Sequence, residues 1–273
     1  MDAGSESSSM RIEGGPIVSA AIGRVRAYSS RTSRHSLAII LPSPAAKGAA
    51  EAYISARQKK KLFEAAGFQV RTIAGLRDAE SGRGVGAGEL FVQQRPADPE
   101  CLAFIHPDAV DLERLVADGP VVSAVVEVVT RILLAWPALE RQAVAVVGAR
   151  GSVGRDVVRW LDSKGLASTG LDIGDPLDAL RGHDVIVSAV GVPHLITPAH
   201  CDGCGLAIDV GFSYQESSDL AFGDFSPALT ALTRYHTPVP GGVGPLQALT
   251  LLERALAHIG GVPYAPWSVD LRP

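Results

Sequence analysis

The chain has 273 residues, of which 47% are apolar and 20% charged, and carries a formal net charge of −4. That length suits two modest lobes or one larger α/β domain, and the mildly acidic balance offers no basic field to attract DNA or RNA. No apolar run approaches the roughly 18 residues that span a bilayer, and the opening MDAGSESSSM lacks the basic and apolar regions of a signal peptide, so a cytoplasmic protein with no membrane partner is expected.

Residues 1–10 read as a disordered tail, Ser-rich and polar, with Met10 as an alternative start. Residues 17–28 carry helical spacing of apolar positions. The run Leu37-Ala38-Ile39-Ile40-Leu41, ended by Pro42, reads as a short buried strand. A helix follows over 51–66, stopped by Gly67, and then strands over 68–73 and 90–92 separated by a glycine-rich 81–88 loop. Strand and helix alternate here as in an α/β layer.

A long apolar helix over 121–136 ends at Pro137, and the pattern restarts with Ala143-Val144-Ala145-Val146-Val147, which marks a domain boundary. Beyond it come a glycine turn, a helix over 153–164, a strand closing at Leu171-Asp172, and buried strands over 184–190 and 206–210. A last helix covers 246–258. The predicted organisation is an N-terminal α/β substrate and catalytic lobe, 11–120 plus a returning 248–273, and a Rossmann-type NAD(P)-binding lobe over 121–247.

Cys101, Cys201 and Cys204 are too few for a disulfide framework. Cys201 and Cys204 follow His200 at CxxC spacing. Zinc wants four ligands and a second such pair is missing, so two unpaired thiols beside a turn are expected and no metal.

The turn Gly148-Ala149-Arg150-Gly151-Ser152-Val153-Gly154 has the GxxGxxG spacing, with a β-run before it and a helix after it. Such a turn lets backbone approach a pyrophosphate while the helix N-terminus supplies unpaired N–H groups and partial positive charge. The alternative is a tight turn that merely packs helix on sheet. Asp172, about 20 residues on, stands where a carboxylate accepts bonds from the adenosine ribose and repels a 2′-phosphate, whereas Arg150 could hold that phosphate. NAD is favoured, with NADP left open. Ser188, Ala189 and Val190, with Gly191, end a strand on the ligand side of a parallel sheet and either flank the nicotinamide ribose or simply pack closely. Pro240-Gly241-Gly242-Val243-Gly244-Pro245 offers bare backbone to a flat ligand.

With VVGARGSVG, DVIVSAVG, LITPAH, AIDVG and TPVPGGVGPLQALTLLERAL on the page, the chain resembles the methylenetetrahydrofolate dehydrogenase/cyclohydrolase family over most of residues 11–260. The resemblance is strong from Val144 onward and patchy before it, where SLAIIL, AYISARQKKKLFEAAGF and LFVQ keep the family's order. It implies two α/β lobes around a cleft, usually in a homodimer, with a folate between the lobes. It further implies hydride transfer from methylenetetrahydrofolate to the nicotinamide cofactor, followed by hydrolysis of the methenyl product.

The family's catalytic helix carries Tyr-x-x-x-Lys. Here Tyr53 is followed four residues later by Arg57, while counting back from Gly67-Phe68 puts the lysine on Lys59 and the tyrosine position on Ser55. The two registers differ chemically, because a lysine in a cleft can lose its proton and an arginine essentially cannot. Gln93 matches the family glutamine that positions lysine and substrate. The pterin-gripping aspartate is missing: its segment reads Ala103-Phe104-Ile105-His106-Pro107, and the Pro-Cys-Thr-Pro segment reads Pro120-Val121-Val122-Ser123.

The resulting expectation is a divergent dehydrogenase moving hydride between a folate-like C–N substrate and NAD(P), with the cyclohydrolase step weak or lost. Tyr53, Arg57, Lys59 and Gln93 are its catalytic candidates, and Tyr53, Gln93, Pro240, Gly241 and Gly242 its substrate contacts. Two other readings stay open, a repurposed non-redox enzyme of specialised metabolism and a catalytically dead binding subunit.

Overall fold

A computed structural model describes residues 9–74, 78, 84–94, 99–113, 123–201 and 203–272. In chain order its main elements are β1 Met10–Arg11, α1 Gly14–Val25, β2 Ser36–Leu41, α2 Ala49–Ala65, β3 Gln69–Ala74, β4 Leu90–Gln93 and β5 Val110–Asp111. There follow α3 Ala124–Ala135, β6 Val144–Val147, α4 Ser152–Ser163, β7 Ser168–Leu171, β8 Val185–Ser188 and β9 Leu206–Asp209. The chain closes with β10 Ser213–Gln215, β11 Leu220–Phe222, β12 Tyr235–His236 and α5 Val243–Ile259.

Two compact units result. One comprises Pro16–Ala124 and Pro245–Trp267. Its parallel sheet runs β3-β2-β4-β5. The run of β2 is buried on both faces because it is central, with β3 and β4 on its two sides. Ala38, Ile40, Ile73, Val85, Phe91 and Cys101 form a core cluster here. The buried stripe of α2 is Ala49, Ala52, Ala56, Lys59, Leu62 and Phe63, the three-and-four spacing of one helix face, and Lys59 sits inside it.

The other unit comprises Met1–Gly15, Val125–Gly244 and Ser268–Pro273. Its sheet runs β1-β12-β9-β8-β6-β7, every pair parallel, with β10 and β11 a separate antiparallel pair. On α4, Gly154, Val157 and Leu161 form the buried stripe. Ala145, Val147, Leu171, Ile186, Ala207 and Phe225 belong to its core cluster, against which Cys204 packs and within which Cys201 is buried.

Several sequence expectations are corrected. Of the proposed tail, residues 1–8 lie outside the described residues. Ser9 and Met10 are structured, however: the Ser9 hydroxyl lies 2.8 Å from His236 Nδ1, and Met10–Arg11 pairs with Tyr235–His236. Two residues are too short to show periodicity, so only the long-range pairing reveals β1. This places Met10 in a folded unit instead of a tail, and Arg11, like Ser268–Pro273, in the unit of the six-stranded sheet instead of the N-terminal lobe. The first helix begins at Gly14 and tightens to a 3₁₀ turn over Arg26–Tyr28. The helix expected over 121–136 is Ala124–Ala135, and the strand expected over 184–190 is Val185–Ser188. Residues 81–83 and 120–122 lie outside the described residues. β5, β10, β11 and β12 are strands of two or three residues that carry no periodic signal.

Candidate active site

In α2, burial sets the two basic candidates apart. Lys59 is 2% exposed, and its Nζ donates to Ser55 Oγ at 2.6 Å, one helical turn earlier. Burial pulls the amine's pKa down to about 8, partly opposed by the attraction of Glu113. Arg57 is exposed, two residues from Lys59 and so about 200° around the helix. Tyr53 is half-buried, and its hydroxyl donates to the Pro42 carbonyl at 3.3 Å. The structure therefore brings Lys59 to Ser55 and brings neither Tyr53 nor Arg57 to it.

Gln93 ends β4 beside Ile40 of β2, and its Nε2 is buried with no hydrogen-bond partner among the described residues. Gln94 Nε2 and Trp136 Nε1 are buried without a partner among the described residues as well. Glu113 was not anticipated from sequence. Its carboxylate accepts from Ala124 N at 2.8 Å and from Gln247 Nε2 at 3.4 Å, while Arg254 Nη1 donates to the Leu112 and Glu113 carbonyls at 2.9 Å each. Ala103 is exposed.

The glycine turn is tightly determined. Gly148 has φ +83°, and a Cβ there would stand 2.9 Å from the Ala189 carbonyl oxygen. A Cβ on Gly154 would overlap the Gly148 carbonyl. Gly151 caps α4 without any side-chain bond, so the first N–H groups of the helix, from Ser152 and Val153 on, have no side-chain acceptor at the cap. Asp172 ties the turn together: its Oδ2 accepts from Arg150 N at 2.6 Å and its Oδ1 from Ile173 N at 2.8 Å. Those two backbone bonds hold its carboxyl below the usual range. A bare, donor-rich helix start fits a dinucleotide pyrophosphate.

In the Ser188-Ala189-Val190 segment, the serine side chain packs inward, as the close-packing alternative has it. Ser188 is fully buried and its hydroxyl donates to Asp224 Oδ2 at 2.7 Å, so its side chain faces the protein interior. Val190 N and Val192 N donate to the same carboxylate, at 2.8 Å each. Asp224 in turn is held by Asp209, whose Oδ1 and Oδ2 accept from Asp224 N at 3.1 Å and Phe225 N at 3.0 Å. Burial, then repulsion from Asp224, pushes the Asp209 pKa up to about 8. Neither acid was singled out from sequence. The available signal was reciprocal glycines: Gly211 carries no Cβ where the Asp224 carboxyl lies, and Gly223 none where the Asp209 carboxyl lies.

In the proline-flanked loop, the Val239–Pro240 bond is cis, and Gly241 has φ +112° with open space where a Cβ would project. Gly242 is buried, and a Cβ there would stand 2.8 Å from the Pro238 carbonyl oxygen. Pro240 is exposed. The Cys204 thiol is pushed up to about 12, chiefly by burial, which makes it a poor nucleophile. Among the described residues no group of three or more His, Cys, Asp or Glu side chains is placed to hold a metal, and no helix is long and apolar enough to cross a membrane.

Residues 122–260 match the family model for the tetrahydrofolate dehydrogenase/cyclohydrolase NAD(P)-binding domain. The bifunctional protein FolD of Mycoplasmopsis synoviae (strain 53) is 34% identical over 116 residues, 42% of this chain and 42% of that protein. FolD of Deinococcus radiodurans is 38% identical over 118 residues, covering 42% of this chain and 38% of its own. The sequence match thus spans less than half the length of these curated relatives. The Trypanosoma brucei methylenetetrahydrofolate dehydrogenase-cyclohydrolase, solved with NADP and an inhibitor, superposes with TM-score 0.73 at 22% identity over 92% of this chain and 97% of its own. The NAD-dependent 5,10-methylenetetrahydrofolate dehydrogenase of Saccharomyces cerevisiae gives TM-score 0.64 at 14% identity, covering 90% and 96%. These solved structures share the fold.

Proposed function

The chain belongs to the tetrahydrofolate dehydrogenase/cyclohydrolase family, and from that premise we propose that it is a divergent methylenetetrahydrofolate dehydrogenase-like oxidoreductase, moving hydride from a folate-like C–N substrate to NAD(P). The observation that carries this reading is the glycine turn, where Gly148 and Gly154 leave no room for a Cβ and the start of α4 has no side-chain cap. When bound, the nicotinamide accepts the hydride. The substrate's own nitrogen assists departure of that hydride, so the protein's task is mainly positioning.

NAD is the proposed cofactor, because Asp172 brings a carboxylate to the end of β7. Lys59, not Arg57, is the proposed basic group, with Ser55 orienting its amine and Gln93 offering its unused donors to the substrate. An amine that titrates near 8 can take a proton at mildly alkaline pH, so hydrolysis of the methenyl product persists as a weak activity. The substrate is held less firmly at the pterin, since Ala103 supplies no carboxylate. As in the family the sequence resembles, the working form is proposed to be a cytoplasmic homodimer.

The test is reduction of NAD and NADP, in parallel, by the purified protein with methylenetetrahydrofolate, followed by the absorbance of the reduced nicotinamide. NAD should be reduced faster, and Lys59→Ala should be far more damaging than Arg57→Ala. No reduction with either cofactor in folded protein overturns the reading and turns attention to a repurposed site, which the missing carboxylate at Ala103 favours.

A further inference from the structure

We propose that Asp224 is a positioning residue for the dinucleotide, setting the 188–192 segment against the glycine turn. This rests on the cofactor reading above and assigns work to two buried acids that the hydride transfer itself does not use. Asp224 is fully buried and accepts three hydrogen bonds from alternate residues of one five-residue segment: Ser188 Oγ and Val190 N on Oδ2, Val192 N on Oδ1. From the other side, Ser213 Oγ donates to the Gly191 carbonyl at 2.8 Å. The segment so gripped is the one that meets the turn. The Ala189 carbonyl oxygen and a Val190 methyl stand 2.9 and 3.3 Å from where a Gly148 Cβ would be.

The clamp is itself anchored. Ile196 N donates to the Asp224 carbonyl and His194 N to the Gly223 carbonyl, both at 2.9 Å, while Asp209, at the end of β9, holds the backbone of Asp224 and Phe225. Position therefore passes from the sheet through Asp209 to Asp224, and from Asp224 to the backbone beside the turn. Only an acceptor at both oxygens serves, because all three partners on the segment are donors. An asparagine would point its own N–H₂ at one of them.

Cofactor affinity should then depend on a residue that has no reason to touch the cofactor. The experiment measures Kd for NAD and for NADP by calorimetry in wild type, Asp224→Asn and Ser188→Ala, well below each protein's Tm. Asp224→Asn should weaken binding roughly 10- to 100-fold in protein that still melts cooperatively. Ser188→Ala removes one bond without orphaning a buried backbone N–H, and should weaken binding a few-fold. A purely structural acid would lower Tm and leave Kd alone. Unchanged Kd in folded Asp224→Asn overturns the positioning role; should that variant not fold, unchanged Kd in Ser188→Ala does so. Wild type that binds neither dinucleotide overturns the cofactor reading and this inference with it.

Discussion

The Lys59 amine donates to the Ser55 hydroxyl at 2.6 Å, from inside the buried stripe of α2. A cation is thus held where, among the described residues, a hydroxyl and the field of Glu113 compensate its lost hydration. Burial brings its amine down from the ordinary 10.5 to about 8. Hydrolysis of a methenyl substrate should rise as pH climbs through 8, and Lys59→Arg should abolish that rise, since a guanidinium keeps its proton. A pH–rate profile flat across that range in wild type would remove Lys59 from the proton chemistry.

Stability should carry opposite slopes on the two sides of pH 8. Lys59 has a folded pKa below its unfolded one, so the unfolded chain holds the proton between about 8 and 10.5, and stability rises with pH across that window. Asp209 is raised from 3.8 to about 8, so the folded chain holds the proton in between, and stability falls as pH rises from about 4 to 8. Lys59→Met should flatten the alkaline rise and add about 1–3 kcal/mol at neutral pH. Asp209→Asn should flatten the acid-side decline. Thermal melts across pH read both, and an unaltered slope in either variant refutes its assignment.

Glycine substitutions should separate by surroundings. A Cβ on Gly154 meets the backbone of Gly148 and Ala149, so Gly154→Ala should cost several kcal/mol or abolish NAD(P) binding. Gly23, inside α1, has nothing within 4 Å of its Cβ site. Gly23→Ala should stabilise by about 0.5–1 kcal/mol through helix propensity and loss of unfolded-state freedom. Denaturant midpoints decide the stability changes, and titration with NAD(P) decides the loss of binding.

Replacing Asp172 removes the acceptor that holds Arg150 N and the charge that disfavours a 2′-phosphate. Asp172→Ser should weaken NAD and shift preference toward NADP, read as the ratio of the two kcat/KM values. A ratio that stays put would mean that Arg150 already sets cofactor choice.

The strand, glycine turn, helix and strand order of the second half was legible because each signal is local: the apolar run before Gly148, the glycines to Gly154 and the helical spacing after them lie within one short stretch of chain. The same locality made α2 and its stop at Gly67 readable. It could not choose between Arg57 and Lys59, because a helix's own periodicity fits either, and the choice depends on which face packs onto β2 and β3. Nor could it find the clamp, because Ser188 and Asp209 meet through the pairing of β8 with β9, and Asp224, from a bend beyond β11, reaches them only in the folded chain. In the fold, Gly211 and Gly223 are the spaces that two buried carboxyls occupy. Local sequence determined what each segment becomes; tertiary structure decided which polar groups lose water together, and that loss sets the pKa values and fixed positions on which the proposed chemistry depends.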